Sequence, residues 1–74
     1  MSREEIKIAG HAATVELFWR LGGYEVRVPA LGIRVFELLR RSPYSLGREL
    51  DAADARETRE RAIAQARSQA RARR

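Results

Sequence analysis

From Arg3 to Leu21 the apolar residues, placed at 100° per residue, fall on two stripes. Ile6, Gly10, Ala13, Leu17 and Leu21 form one, and Ile8, Ala12, Val15 and Trp19 form another almost opposite. Ser2-Arg3-Glu4-Glu5 matches a capping box, so the pattern predicts a helix over 3–21. At Gly22-Gly23 the period changes. A residue without Cβ suits the C′ position of a helix, and Tyr24, Val26 and Val28 then alternate with Glu25 and Arg27. This predicts a strand over 24–28, closed by Pro29, which has no N–H to donate. Beyond the turn at Ala30-Leu31-Gly32, Leu31, Val35, Leu38 and Leu39 recur at helical spacing opposite Arg34, Glu37, Arg40 and Arg41, predicting a helix over 31–41. Ser42-Pro43 stops it and offers an N-cap and first residue to another. The alanine-rich stretch from Asp51 to Arg74 has high helix propensity but Ile63 as its only large apolar side chain, so a helix that projects and frays toward Arg74 is expected.

These elements lack partners within one chain. A lone strand cannot satisfy its own backbone groups, and a helix apolar on two faces needs cover on both. The expected fold is therefore mainly α. It is a small homodimer of helices in which one short strand per chain pairs with its copy as an antiparallel intersubunit ribbon. Ile8, Ala12, Val15, Trp19, Tyr24, Val26 and Val28 are the expected dimer interface. Residues 1–50 form the helix-strand-helix dimerisation core and 51–74 the basic projecting C-terminal helix.

Charge adds a partner. The net value is +5, with +2 in residues 1–50 and +3 in 51–74, and no acid follows Glu60. Arg56, Arg59, Arg61, Arg67, Arg71, Arg73 and Arg74 make the C-terminal helix a candidate phosphate-binding surface, and Arg27 on the strand a candidate groove contact. Catalysis is not expected. His11 is the only histidine, there is no cysteine, and no nucleophile, base and orienting group converge; no metal or cofactor site is expected either. Gly22-Gly23 precedes a strand, so it lacks the helix N-terminus of a phosphate loop. Trp19 and Phe18 at helical spacing suit packing better than base stacking. With no stretch apolar enough for a membrane span and no secretory signal, a cytoplasmic protein is expected.

The stretch from Ile8 to Pro29, IAGHAATVELFWRLGGYEVRVP, resembles the N-terminal part of the Mor transcription activators of Mu-like phages. There a helix with a Gly and small residues runs into a Gly-Gly and an alternating strand ending in Pro. The resemblance implies a homodimer with helices packed across the axis, an antiparallel ribbon, and DNA-binding segments beyond it. Downstream, Asp51 to Arg74 departs from the family's helix-turn-helix, having no glycine and no turn signal. The order strand 24–28, helix 31–41, Ser-Pro corner and helix also suits a ribbon-helix-helix DNA binder, with Glu25 and Arg27 toward base edges. The expected function is a small, phage-like, DNA-binding transcriptional regulator acting as a homodimer. The alternative is a non-catalytic interaction module or inhibitor that docks on a host protein.

Overall fold

The computed structural model describes residues 3–40 and 48–73. Four strands, β1 (Arg3–Ile8), β2 (His11–Phe18), β3 (Gly23–Val28) and β4 (Ile33–Leu38), form one antiparallel sheet in the order β1-β2-β3-β4. A 3-10 turn, Pro29–Leu31, joins β3 to β4, and one helix, α1 (Arg48–Ala72), follows. Strand and helix content are about equal, so the chain is not mainly α.

The helix expected over 3–21 is instead the hairpin β1–β2, and its two opposite apolar stripes have a simple origin. Alternating residues step by 200° on a helical projection, so any period-two pattern drawn at 100° per residue splits onto two opposite faces. Ile6 and Ile8 on β1, and Ala13, Val15 and Leu17 on β2, share one face of the sheet. The hairpin turns at Ala9-Gly10, both with positive φ (51° and 80°), as a two-residue turn of this handedness requires. The strand expected at 24–28 forms, but it is an inner strand. Val26 stands opposite Val15 on one side and Val35 on the other. Its backbone is thus paired on both edges within the chain, and the intersubunit ribbon is overturned together with the helical dimer built on it. Where a helix is expected over 31–41, the described residues form the end of the 3-10 turn and β4 (Ile33–Leu38), which also removes the ribbon-helix-helix order; Arg41 lies outside the described residues. Residues 8–29 lie in strands and turns, so the fold implied by the resemblance to the Mor activators is not the fold of this chain. The Ser42-Pro43 corner, Ser2 and Arg74 lie outside the described residues.

The register sorts the side chains. Ile6, Ile8, Ala13, Val15, Leu17, Tyr24, Val26, Val28, Ile33, Val35 and Glu37 face α1; Glu5, Lys7, Thr14, Glu16, Phe18, Glu25, Arg27, Arg34, Phe36 and Leu38 face the other way. The C-terminal helix forms as expected but does not project. Asp54, Thr58, Ala62, Ala66 and Ala70 recur every four residues and are buried with Ile63. Such a row brings the helix axis close to a sheet whose Val and Ile side chains supply the bulk, so alanine methyls suffice for a core. The helix runs antiparallel to β4. The Asp54 carboxylate accepts from the Arg40 backbone N–H (3.2 Å) at one end, and the Arg73 guanidinium donates to the Leu31 carbonyl at the other.

The double glycine serves the β2–β3 hairpin. Gly22 takes φ 70° at the end of the four-residue turn, and its carbonyl accepts from the Leu39 N–H (2.8 Å). Gly23 is buried for another reason: a Cβ there would sit 2.4 Å from the Glu37 carbonyl oxygen and 2.8 Å from the Phe36 ring, which lies over the glycine. Gly23→Ala should therefore cost about 2–3 kcal/mol by overpacking, against about 1 kcal/mol for Gly22→Ala, where only the positive φ is penalised. Urea unfolding of the two variants checks the order; equal losses would leave the Phe36 seat without energetic weight. At the other hairpin, Ala9→Asn should stabilise by about 0.5–1 kcal/mol, because Asn accepts the left-handed backbone more readily than Ala. Thermal melts should then shift up by a few degrees.

Candidate nucleic-acid interface

The two flanks of α1 are identified by its ion pairs. Arg59 reaches across to the edge strand β1, where its Nε and Nη2 donate to the two carboxylate oxygens of Glu4 (2.6 and 2.8 Å). Arg61 reaches the opposite edge: its Nε lies 3.6 Å from Glu37 Oε1, and its Nη2 donates to Thr58 Oγ1 (3.0 Å) and to the Leu38 carbonyl (3.5 Å). Thr58 in turn donates its hydroxyl proton to the Asp54 carbonyl (2.7 Å), so this buried polar row is satisfied. Arg73 is held by Leu31. Three of the arginines expected to meet phosphate thus fasten the helix to the sheet, while Arg74 lies outside the described residues.

Arg56, Arg67 and Arg71 remain. All three are exposed, and none has a salt-bridge partner among the described residues. At 100° per residue they fall within about 60° of one another around the axis, on the flank that Arg59 identifies as facing β1. Glu60 stands in the same stripe and lies 3.4 Å from the Arg59 guanidinium. Beyond it, residues 61–73 hold no acid.

Arg27 lies on the opposite face of the sheet and is not free. Glu25, buried although it faces away from α1, takes Arg27 Nε at one carboxylate oxygen and Arg34 Nε at the other, each at 2.6 Å. The three side chains form a cross-strand charge cluster at the centre of the open face. Among the residues expected at a dimer interface, Ile8, Val15, Val26 and Val28 lie in the core of one chain, and Tyr24 packs against it partly buried. Ala12 and Trp19 are exposed. His11 is exposed at the start of β2, and among the described residues no three His, Cys, Asp or Glu side chains converge on a metal site.

Sequence reasoning missed two features. One is an apolar border on the open face, where Leu21 and Leu38 are each 63% exposed and Phe36 is 38% exposed. The other is a cleft of about 540 Å³ between the β2–β3 turn and the first turns of α1, lined by Leu17, Trp19, Tyr24, Ala52, Ala55, Arg56 and Arg59. The available signal was the alternation of Ala13, Val15 and Leu17 with Thr14 and Glu16, which as a strand delivers Trp19 to a turn instead of a helix face.

The Arg59–Glu4 bond pulls the Glu4 carboxyl below its ordinary value of 4.5 and holds the Arg59 guanidinium further above its own. A carboxyl whose folded-state pKa is lowered adds stability in full above its unfolded value and loses it as pH falls through the folded one. The wild type should therefore exceed Glu4→Gln in stability above about pH 5, with the gap closing at lower pH. Glu4 is largely solvent-facing, so the gap is at most about 1 kcal/mol and shrinks with salt. Denaturant unfolding from pH 7 to 3 measures it; a gap independent of pH would mean that the side chain acts by packing alone.

No protein-family model, curated protein or solved structure matches this chain. No helix among the described residues is long and apolar enough to cross a membrane.

Proposed function

We propose that the protein is a small, non-catalytic DNA-binding regulator of the cytoplasm, held to the phosphate backbone by the Arg56, Arg67 and Arg71 flank of α1. The observation that carries this reading is the division of labour among the arginines. Those that fasten the helix are paired, whereas these three are exposed on one flank with no salt-bridge partner among the described residues. Arginine presents a planar fork of donors to phosphate oxygens, and each neutralised phosphate releases condensed counterions. Contacts of this kind position a protein on nucleic acid and carry no sequence information by themselves. The basic balance of the chain as a whole, +5, works in the same direction by raising the encounter rate with polyanions.

A second reading is favoured by one observation, the exposed Leu21, Phe36 and Leu38 at the border of the open face, which suit docking on another protein. Salt separates the two. Affinity for random duplex DNA should fall steeply as salt rises, and the Arg67→Gln/Arg71→Gln double variant should flatten the log-log slope by about two units without loss of folding. The variant is confined to exposed side chains, so circular dichroism should be unchanged. Absence of duplex binding by the wild type at low salt would discard the DNA reading in favour of protein docking.

A further inference from the structure

The cleft beside Trp19 combines three properties. Its floor is apolar, formed by Leu17 and Tyr24 on neighbouring strands, which stand directly opposite each other. Across it, among the described residues, α1 contributes the small methyl groups of Ala52 and Ala55 beside the longer Arg56 and Arg59. Its wall is Trp19, the largest side chain in the protein, which is 59% exposed at the first position of the β2–β3 turn. An indole left this accessible forgoes much of the burial that normally stabilises it, and here it stands beside a phenol ring in a cavity of about 540 Å³, within the range of ligand sites.

The rim is cationic. Arg56 lines the cleft and, among the described residues, has no salt-bridge partner; Arg59 lines it while bonded to Glu4. Arg56 also begins the exposed stripe that continues through Arg67 and Arg71, about 16 and 22 Å further along the helix. A chain of phosphates held by Arg71 and Arg67 would run toward the mouth of the cleft, with the exposed Glu60 standing between Arg67 and Arg56.

We infer that the cleft binds an unpaired nucleobase, stacked on Trp19 and Tyr24 with its adjacent phosphate on Arg56. Duplex DNA keeps its bases stacked inside and can offer only its backbone to the stripe, whereas a single strand can place a base in the cleft at the same time. The inference rests on the proposed phosphate contacts of α1 and adds to them a preference for single-stranded nucleic acid. A free nucleotide carries the same base and phosphate chemistry without the rest of the chain.

Trp19 is the only tryptophan, so its emission reports the cleft directly. The wild-type protein should be titrated at low salt with oligo(dT), the matching duplex, thymidine monophosphate and inorganic polyphosphate, with binding followed separately by a method blind to Trp19. Oligo(dT) should quench Trp19 emission at least twofold, while duplex and polyphosphate should bind without comparable quenching. Quenching by the mononucleotide at similar concentration would assign the cleft to free nucleotides; quenching by the strand alone would assign it to single-stranded nucleic acid. Trp19→Ala, at an exposed position, should weaken oligo(dT) binding about five- to hundredfold and leave duplex binding unchanged. Ala55→Leu, which fills the cleft and keeps the reporter, should abolish quenching. Oligo(dT) bound with unchanged Trp19 emission would overturn the cleft assignment and leave the cationic flank intact. Failure of both oligo(dT) and polyphosphate to bind would remove the phosphate contacts on which it rests.

Discussion

The structure depends on the close seating of α1 against the Val and Ile face of the sheet. Among the described residues, the four-stranded sheet has one face covered and one helix, α1, to cover it. The solution is a row of small side chains, from Asp54 to Ala70, that approaches the sheet closely and lets Ile8, Val15, Val26, Val28, Ile33 and Val35 occupy the space between. Larger residues on the helix would have held it away and left voids around the valines. The close approach also explains why the polar members of the row are satisfied locally: Thr58 bonds the Asp54 carbonyl and Arg61, and Asp54 takes the Arg40 N–H.

Once the helix is seated, the fate of each arginine follows from its angle on the axis. Positions just outside the buried row reach an edge of the sheet and find a carboxylate or a carbonyl, as Arg59 and Arg61 do. Arg56, Arg67 and Arg71 lie further round and meet solvent. Among the described residues, arginines that fasten the helix are thus interspersed with arginines that have no salt-bridge partner, and the charge available for a partner is smaller and more localised than the arginine content suggests. The open face of the sheet follows a different logic. Glu25 sits at its centre between Arg27 and Arg34, a buried carboxylate held by two charged donors whose outer parts remain hydrated. With that cluster in place, the apolar residues of the open face gather at the border, around Phe36 and Leu38 and the neighbouring turn residue Leu21.

Some of this was legible in the chain. The strand over 24–28 was readable because Tyr24, Val26 and Val28 alternate between two turn signals, and the C-terminal helix because alanine, arginine and glutamate favour helix over a long window. The acid-free segment after Glu60 was readable as a basic surface. The first hairpin was not, because Ala9-Gly10 is an uncommon pair for a two-residue turn, and without that break the alternation of residues 3–18 projects onto a helix as two opposite stripes. The same error hid β4, where Leu31, Val35, Leu38 and Leu39 satisfy a helical spacing although Ile33 and Val35 alternate with Arg34 and Phe36.

By itself the sequence determined local preference and charge: where glycine permits positive φ, where alanine favours helix, and where cations outnumber acids. Only the tertiary structure decided which side chains are buried and which arginines are spent. Val26 is a core residue because β2 and β4 flank it, Gly23 is required because Phe36 lies over it, and Arg59 is structural because folding brings Glu4, 55 residues away in the chain, within 2.6 Å. The physical reason is that strand pairing and helix docking are contacts between residues far apart in sequence. Their free energy depends on which surfaces meet, and periodicity within a single segment carries no record of that choice.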